Sequence, residues 1–593
     1  MEYQLIESLL SPEKKSELSV IEQVLTNRGI ALKDVPHYLN TTDEDILDPS
    51  LIANIHQGAQ MLVKHISNND KIFIQVDSDC DGFTSAAALI NYLNMIFPGF
   101  VQNNIFYRIH DMKQHGLVLS AIPEDIKLVI APDSSSNDYD KHKKLFERGC
   151  DVLVIDHHKA DKISEYACVI NNQLCDYPTK SLSGVGMVYK FCCYLDKIMG
   201  INNADNILDL VAVGMIADMM DLKDFETKHL IFKGLQKFHN PFLIKLKEAQ
   251  NYSINKGGGI NPHTIGFFIA PAINATIRVG TPEEKRLLFE AMLDYMAYEM
   301  IPSTKRGCKS QLEPRVVQAC RNCNNIKNRQ TKMRDAGIAL IQRKIEKEGL
   351  DQNKIILIQS NEYEINPNLT GLIANKIMAE YKHPTLLLLQ KPDEETGEIL
   401  LEGSGRGYTF TGFNNLRQFL RDSGHVYLAE GHPQALGVGM LSSEVDSFIA
   451  DSNEILKDCD FNPSYKVDFI WNANDFTSQD IIDLAALNGI CGQGVEQPYI
   501  AIEDLRINKD NLTLLSRDKS PTLKITLPNG VSLIKFGFDV EEYDSLIEAC
   551  ENKDLLINVV GTAAINEWNG RITGQVQIED YNICTYKDWL SYF

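Results

Sequence analysis

The residues whose types and spacing can do chemistry gather at three places, each directly after a short apolar run. Ile72-Phe73-Ile74-Gln75-Val76 leads into Asp77-Ser78-Asp79-Cys80-Asp81-Gly82. Leu128-Val129-Ile130 leads into Ala131-Pro132-Asp133, and Val152-Leu153-Val154-Ile155 leads into Asp156-His157-His158. Five carboxylates and two imidazoles in one crevice cannot all carry their usual charges without compensating cations. A mixed carboxylate and imidazole set suits a first-row divalent ion such as Mn better than an all-oxygen Mg or Ca site. There are ligands enough for two ions bridged by a shared aspartate, an arrangement that activates water and steadies the leaving oxygen in phosphoester hydrolysis. In an extended chain Asp77, Asp79 and Asp81 point the same way. Gly82 then lets the backbone turn sharply behind them.

The three motifs meet only if the apolar runs are neighbouring parallel strands, because the carboxyl ends of such strands line one crevice. Helical stretches at 85–96 and 139–148 separate the runs, and that alternation predicts a doubly wound parallel sheet. Residues 310–348 contain glycine only at Gly337 and proline only at Pro314. They predict one long helix, or two consecutive ones, bridging domains. A second αβ pattern follows, with strands at 354–359 and 385–390 around a helix at 368–381. In the last hundred residues, Asn529-Gly530 and Asn569-Gly570 each sit between alternating runs, which is a hairpin signal. Runs at 523–527, 531–538, 555–560, 561–568 and 571–578 fit a small all-β barrel of OB type, a fold that commonly binds oligonucleotides. Phe536, Phe538 and Trp568 there either stack on bases or pack in the barrel core.

Composition bounds the class. The chain has 593 residues, 44% of them apolar and 23% charged, which excludes disordered and low-complexity classes. No apolar run has the length of a membrane helix, and the first residues lack a basic-then-apolar leader pattern. Thirteen scattered cysteines read as reduced thiols, so a cytoplasmic protein with no membrane partner is expected. Cys320 and Cys323 fit one helix face, with no second pair to complete a zinc site. The net charge of −22 repels nucleic acid globally. Between Ser303 and Glu348, however, twelve basic residues stand against four acidic ones, running from Lys305, Arg306, Lys309 and Arg315 through Arg321, Lys327 and Arg329 to Lys347. Such a stripe is either a polyanion footprint or a solvated helix face.

The motifs in combination resemble those of the DHH phosphoesterase superfamily. Asp77–Gly82 with Ser85, Asp133 and Asp156-His157-His158 match its first three motifs, and Asp209–Asp218 matches its fourth. Ser183-Gly184-Val185-Gly186, Pro271–Ala275, Gly403-Ser404-Gly405-Arg406-Gly407 and Gly431-His432 with Ala435 point to one branch, the RecJ-type single-strand-specific exonucleases. That resemblance covers nearly the whole chain. It implies an N-terminal lead and parallel-sheet DHH domain at 1–300, a basic connecting helix at 301–350, a second α/β DHH-associated domain at 351–460, and a linker with an OB domain at 461–593.

The resemblance also implies roles. Asp77, Asp79, Asp81, Asp133, His157 and Asp218 would hold two divalent ions, with Mn preferred over Mg. Asp133, Asp156, His157 and His158 would form the catalytic group. Arg108 and Arg278 would contact substrate, Ser404 and Arg406 would hold a 5′-phosphate in a glycine-rich loop, and His432 would join them. The activity implied is 5′→3′ hydrolysis of single-stranded DNA to mononucleotides in repair, recombination or replication, with a single-strand-binding protein or helicase as partner. Alternatives within the same fold are a phosphodiesterase of short oligoribonucleotides or cyclic dinucleotides, and a replication scaffold without activity. The sequence departs from the family pattern at Ser134–Ser136, Met215, Asp221 and Glu430, none of them an implied ligand.

Overall fold

The computed structural model describes residues 1–7, 15, 17–110, 114–308, 311–393, 397–408, 413–459, 461, 464–550, 554–568 and 570–584. They form two compact units. One comprises Arg28–Asn328 with Leu487–Gln497, and the other comprises Met1–Asn27, Arg329–Ala486 and Pro498–Phe593. Lys309, Asn569 and the side chain of Trp568 lie outside the described residues.

Strands that are apolar on both faces need cover on both faces, and the first unit supplies it. Its sheet contains β1 (Ile72–Val76), β2 (Ile105–Ile109), β3 (Leu128–Pro132), β4 (Asp151–Asp156) and β5 (Cys168–Asn171) in the order β2-β1-β3-β4-β5. Every pairing is parallel. The chain leaves β1 toward β2 and then crosses to β3 on its other side, so the order reverses between β1 and β3. A crevice opens at such a point. The sequence reading found β1, β3 and β4 but not β2, whose residues are only half-buried, nor β5, which is four residues long.

Three helices cover the crevice side. In α1 (Cys80–Ile96) every residue from Cys80 to Leu93 is buried, so this helix is core on all faces. Asp79 caps it, its side chain accepting from the Gly82 N–H at 2.8 Å. This corrects the expected extended run, because the chain turns helical at Cys80 and Asp81 stands in the first turn. Gly82 is needed for close approach rather than for a turn, since a Cβ there would lie 2.6 Å from the Asp77 Cβ. Helices α2 (Gly184–Met199) and α3 (Leu208–Ala217) pack on α1. At their meeting, a Cβ on Gly214 would lie 2.4 Å from Thr84 Oγ1 and 2.7 Å from Asp81 Oδ1. A fourth helix, α4 (Ala270–Val279), follows a π-helical turn at Ile265–Ile269.

The connector is a single 34-residue helix, α5 (Arg315–Glu348). In its first turns Cys320 and Cys323 are both buried, with the Cys323 thiol 3.3 Å from Thr276 Oγ1. Both are packing thiols, and all thirteen cysteines are free. The basic stripe is partly consumed by internal pairing. Arg315 pairs with Glu290 at 3.1 Å and with Glu299, Arg321 forks onto Glu313 at 2.6 and 2.7 Å, and Lys344 donates to the Gln359 carbonyl. Of these partners, Glu290 and Glu299 lie outside the stretch, so they offset charge that the linear count left free.

The second unit carries a five-stranded mixed sheet of β6 (Ile356–Ser360), β7 (Thr385–Pro392), β8 (Ile399–Arg406), β9 (Val426–His432) and β10 (Ala435–Leu441), ordered β9-β10-β8-β7-β6. Helix α6 (Thr370–Tyr381) packs on β7 and β8. Gly337 of α5 admits Ile373 of α6, whose Cδ1 would lie 2.6 Å from a Cβ at that glycine. The same unit holds a seven-stranded sheet built from Phe469 to Ile583, in which Thr522–Thr526 and Ser532–Phe536 pair across the Asn529-Gly530 turn as expected. Residues 555–568 form one strand with a bulge at Gly561, not two. Phe536 is exposed, whereas Phe538 is core. The N-terminal strand Glu2–Leu5 pairs in parallel with Ser464–Val467, so the first residues pack with the C-terminal unit rather than ahead of the first sheet. Among the described residues, no helix is long and apolar enough to cross a membrane.

Candidate metal centre

The crevice between β1 and β3 collects the carboxylates. Asp133 follows β3 in a left-handed conformation, with φ of +63°. Its side chain is buried against Gly184 at the start of α2, where a Cβ would lie 2.3 Å from Asp133 Oδ1. The glycine is the space that the carboxylate occupies. Asp81 is buried beside it, accepting from Ser183 Oγ at 2.9 Å and from the N–H groups of Gly184 and Val185 at 2.7 and 3.2 Å, with one lone-pair site of Oδ2 left over. A helix N-terminus therefore supports its negative charge.

His157 stands opposite. Its Nε2 lies 3.3 Å from Asp133 Oδ1 and 3.4 Å from Asp218 Oδ2. Nε2 and Asp133 Oδ1 are both buried without a hydrogen-bond partner. Ligand atoms bound about 2.1 Å from one ion at right angles lie about 3 Å apart, so these separations fit a shared cation. Two buried polar atoms aimed at one another with nothing between them otherwise cost free energy. Three overlapping sets have ligand atoms within 4.8 Å of one another: Asp133, Asp156, His157 and His158; Asp81, His157 and Asp218; and Asp77, Asp79 and Asp133. Asp133 and His157 each belong to two of them.

The electrostatics state the same need. Burial and the neighbouring Asp81 and Asp79 push Asp133 well above the usual carboxylate range and Asp218 up to about 8. Asp79 rises to about 6 for similar reasons. Asp77 moves the other way. Its burial is outweighed by His110 and His115, with His115 Nδ1 2.8 Å from its Oδ2. Asp156 is held low although buried, because Oδ1 accepts from the N–H groups of His157 and His158 and from His158 Nδ1 at 2.7 Å, and Oδ2 from the Ser136 N–H. The two adjacent histidines are driven apart. Burial lowers His157, whereas for His158 the Asp156 hydrogen bond and charge overcome burial and raise it to about 9.

The remaining expected residues divide by unit. Arg108 is half-buried on β2, donating at 3.4 Å to Nδ1 of His110, whose Nε2 is 3.5 Å from Asp77 Oδ1. Arg278 is exposed one turn beyond Asn274 on α4, and Asn274 Oδ1 accepts from the Cys80 N–H at 3.2 Å, beside Asp79. In the second unit, Ser404 and Arg406 are not in a loop. They lie in β8, central in its sheet, where a Cβ on Gly403 would fall 2.0 Å from the Leu387 carbonyl oxygen and one on Gly405 3.0 Å from Leu386 Cδ2. The glycines serve strand packing. Arg406 and His432 are each in register with Ala435, so all three share one face, with Ser404 two residues before Arg406. Ser404 Oγ is 2.9 Å from Thr370 Oγ1, and the Arg406 guanidinium lies against Gly371 in the first turn of α6.

Sequence reasoning missed His110 and His115, because it missed β2, the fourth strand whose carboxyl end reaches the crevice. It also missed the segment Leu487–Gln497, whose Gln493 carbonyl accepts from the Leu222 N–H, four residues after Asp218.

Known proteins resemble this chain along most of its length. Residues 71–215 match the DHH family N-terminal domain, and residues 467–580 match the RecJ OB domain. The SPbeta prophage-derived protein YorK of Bacillus subtilis (strain 168), named provisionally as a single-strand DNA-specific exonuclease, is 36% identical over 99% of both chains. The chain belongs to the RecJ-type branch of the DHH family. The single-stranded-DNA-specific exonuclease RecJ of Bacillus subtilis is 26% identical, across 95% of this RecJ-type chain and 67% of its own. In fold, the crystal structure of RecJ from Thermus thermophilus in complex with Mn2+ superposes with a TM-score of 0.70 at 18% identity, covering 98% of this chain and 80% of that one. The α/β architecture with its C-terminal OB domain is thus that of RecJ. That domain is not all-β as expected, because helices at Ser478–Ala486 and Val540–Ala549 accompany its strands.

Proposed function

We propose that this chain is a divalent-metal-dependent exonuclease specific for single-stranded DNA, degrading it from the 5′ end to mononucleotides. Two relatives that match along most of their length carry single-strand-specific exonuclease names, and RecJ of Thermus thermophilus has been crystallised with Mn2+ and with Mg2+. The observation that carries the reading is the pair of buried, unpartnered atoms Asp133 Oδ1 and His157 Nε2, converging with Asp218. Asp81, His157 and Asp218 would hold one ion and Asp77 and Asp79 a second, with Asp133 between them. The imidazole in the set favours Mn over Mg. Bound cations at such a centre neutralise the phosphodiester and lower the pKa of water.

The chain's own groups do the rest. Asp156 fixes His158 through Nδ1, which leaves its Nε2–H free to be given to a phosphate oxygen. Arg108 and Arg278 would contact the strand, and Arg406, Ser404 and His432 would grip a terminal 5′-phosphate. The enzyme would act in the cytoplasm, in repair, recombination or replication, on strands presented by a single-strand-binding protein or a helicase. The test is nucleotide release from 5′- and 3′-end-labelled single-stranded DNA and RNA with Mn or Mg. Asp133→Asn, which keeps the shape and tolerates the left-handed backbone, should abolish release while leaving the thermal unfolding midpoint near wild type, and release from the 3′ end would overturn the polarity.

A further inference from the structure

A cavity of about 660 Å3 opens beside His157 in the first unit, and His157 is the one member of the metal cluster in its lining. Its far wall is preformed. The Leu222 N–H donates to the Gln493 carbonyl at 2.9 Å, and the Asp221 N–H donates to Ser181 Oγ at 2.6 Å. A Cβ on Gly494 would lie 1.8 Å from Asp221 Oδ1. The segment carrying Gln493 is therefore clamped onto the residues that follow Asp218.

Met219 lines the same cavity and breaks two ordinary rules. Its φ is +56°, a left-handed conformation that glycine adopts freely and a methionine only at a cost. It is also 65% exposed, so packing in the protein does not offset that cost. The backbone conformation closes α3, because the Met219 N–H donates to the Ile216 carbonyl at 3.2 Å and the Met220 N–H to the Met215 carbonyl at 3.0 Å, a helix-ending turn whose left-handed position ordinarily takes glycine. That cap does not account for a large apolar side chain left exposed in the cavity, directly after the candidate ligand Asp218. A thioether is polarizable and adapts to many flat partners, which suits contact with a base of any identity.

The charges agree. Lys159 and Lys223 line the cavity, are exposed, and make no ion pair among the described residues, in a chain of net charge −22. Lys180 is spent on the carbonyls of Asn172 and Cys175. The two acidic groups are held by backbone, Asp221 accepting from the Lys223 N–H and Asp224 from the Thr227 N–H, both at 2.9 Å, and the three lysines outnumber them.

We propose that this cavity is a nucleotide subsite. It holds the base of one residue adjoining the scissile phosphate, with Met219 as the platform under the base and Lys159 and Lys223 on the neighbouring phosphate. The assignment rests on the exonuclease reading above. It deepens that reading by naming where a base is gripped without being read. A volume of several hundred cubic ångströms matches one nucleotide.

The test walks a single abasic residue from the 5′ end of a deoxythymidylate ten-mer and measures kcat/KM in Mn together with binding by anisotropy. In wild type the abasic sugar should cost about 2- to 10-fold at one position. In Met219→Gly that position-specific penalty should vanish, while the unfolding midpoint stays level or rises, because glycine accepts the backbone conformation. Met219→Ala should lose the penalty too, without the gain in midpoint. Lys159→Ala with Lys223→Ala should flatten the salt dependence by about 0.7 per lost contact. Equal abasic penalties at every position in wild type and Met219→Gly would overturn the subsite while leaving the exonuclease reading intact. Absence of nucleotide release from wild type on any single strand would instead overturn the reading beneath it.

Discussion

Asp133 and Ser135 both adopt positive φ, of +63° and +79°, within three residues of one strand end. Aspartate tolerates that region and serine does so poorly. The sequence departs from the family pattern here, at Ser134-Ser135-Ser136, and Ser135 is a strained position. Ser135→Gly should therefore raise stability by about 1 kcal/mol, read as a higher denaturant midpoint with an unchanged slope. The neighbouring His158 gives a second residue-scale expectation, for metal-free protein. Its folded pKa of about 9 lies above the ordinary 6.5, so its pairing with Asp156 stabilises fully below pH 6.5 and is lost as pH rises through 9. The unfolding midpoint in EDTA should fall between pH 7 and 9.5 more steeply in wild type than in His158→Ala. Equal slopes would show that the pair contributes nothing. The identities of these residues were legible from sequence because each follows an apolar run. That Asp156 is saturated by four hydrogen bonds while Asp133 is left open was not, since hydrogen-bond partners depend on loops from distant segments.

At the scale of elements, the candidate metal ligands are positioned by where helices begin. Glycine at the first position of α2 lets Asp133 and Asp81 approach the helix end together, and Gly214 of α3 does the same on the other flank of Asp81. In an ordinary helix, replacing glycine by alanine stabilises by up to about 1 kcal/mol. Gly184→Ala should reverse that sign, because its methyl would occupy the Asp133 carboxylate position. A loss of about 1–3 kcal/mol is expected from overpacking, with loss of Mn binding measured by calorimetry. A stable variant that binds Mn normally would mean the crevice has slack that the structure does not show. The parallel strands were readable as uniform apolar runs, and α5 as a stretch with almost no helix breakers. The edge strand β2 was not, and with it went His110 and His115. The glycine-rich segment 403–407 was misread as a loop because glycine signals a turn locally. Here it answers to the carbonyl of Leu387 across the sheet, a contact set by pairing over long sequence separation.

Over the whole molecule, sequence order and spatial grouping diverge. Residues 1–27 join the C-terminal unit, and residues 487–497 join the unit that carries the metal cluster. No local pattern announces such exchanges, since a four-residue strand and a short loop carry little periodicity of their own. The consequence for function is that the candidate chemistry and the candidate end-recognition group belong to different units, so they can be altered separately. Arg406 shares a sheet face with His432 and Ser404, beside the first turn of α6, whose N–H groups favour an anion. A terminal phosphate carries charge that an internal phosphodiester lacks, and a guanidinium can hold two of its oxygens at once. A charge-assisted contact of that kind is worth roughly 1.5–3 kcal/mol. Arg406→Ala should therefore keep Mn affinity unchanged while reducing the preference for 5′-phosphorylated over 5′-hydroxyl ends by about ten- to a hundredfold. Competition between the two end types, run on wild type and variant alike, measures it. If wild type shows no preference, the Arg406 face is a packing surface and polarity must be set within the unit that carries the candidate metal ligands.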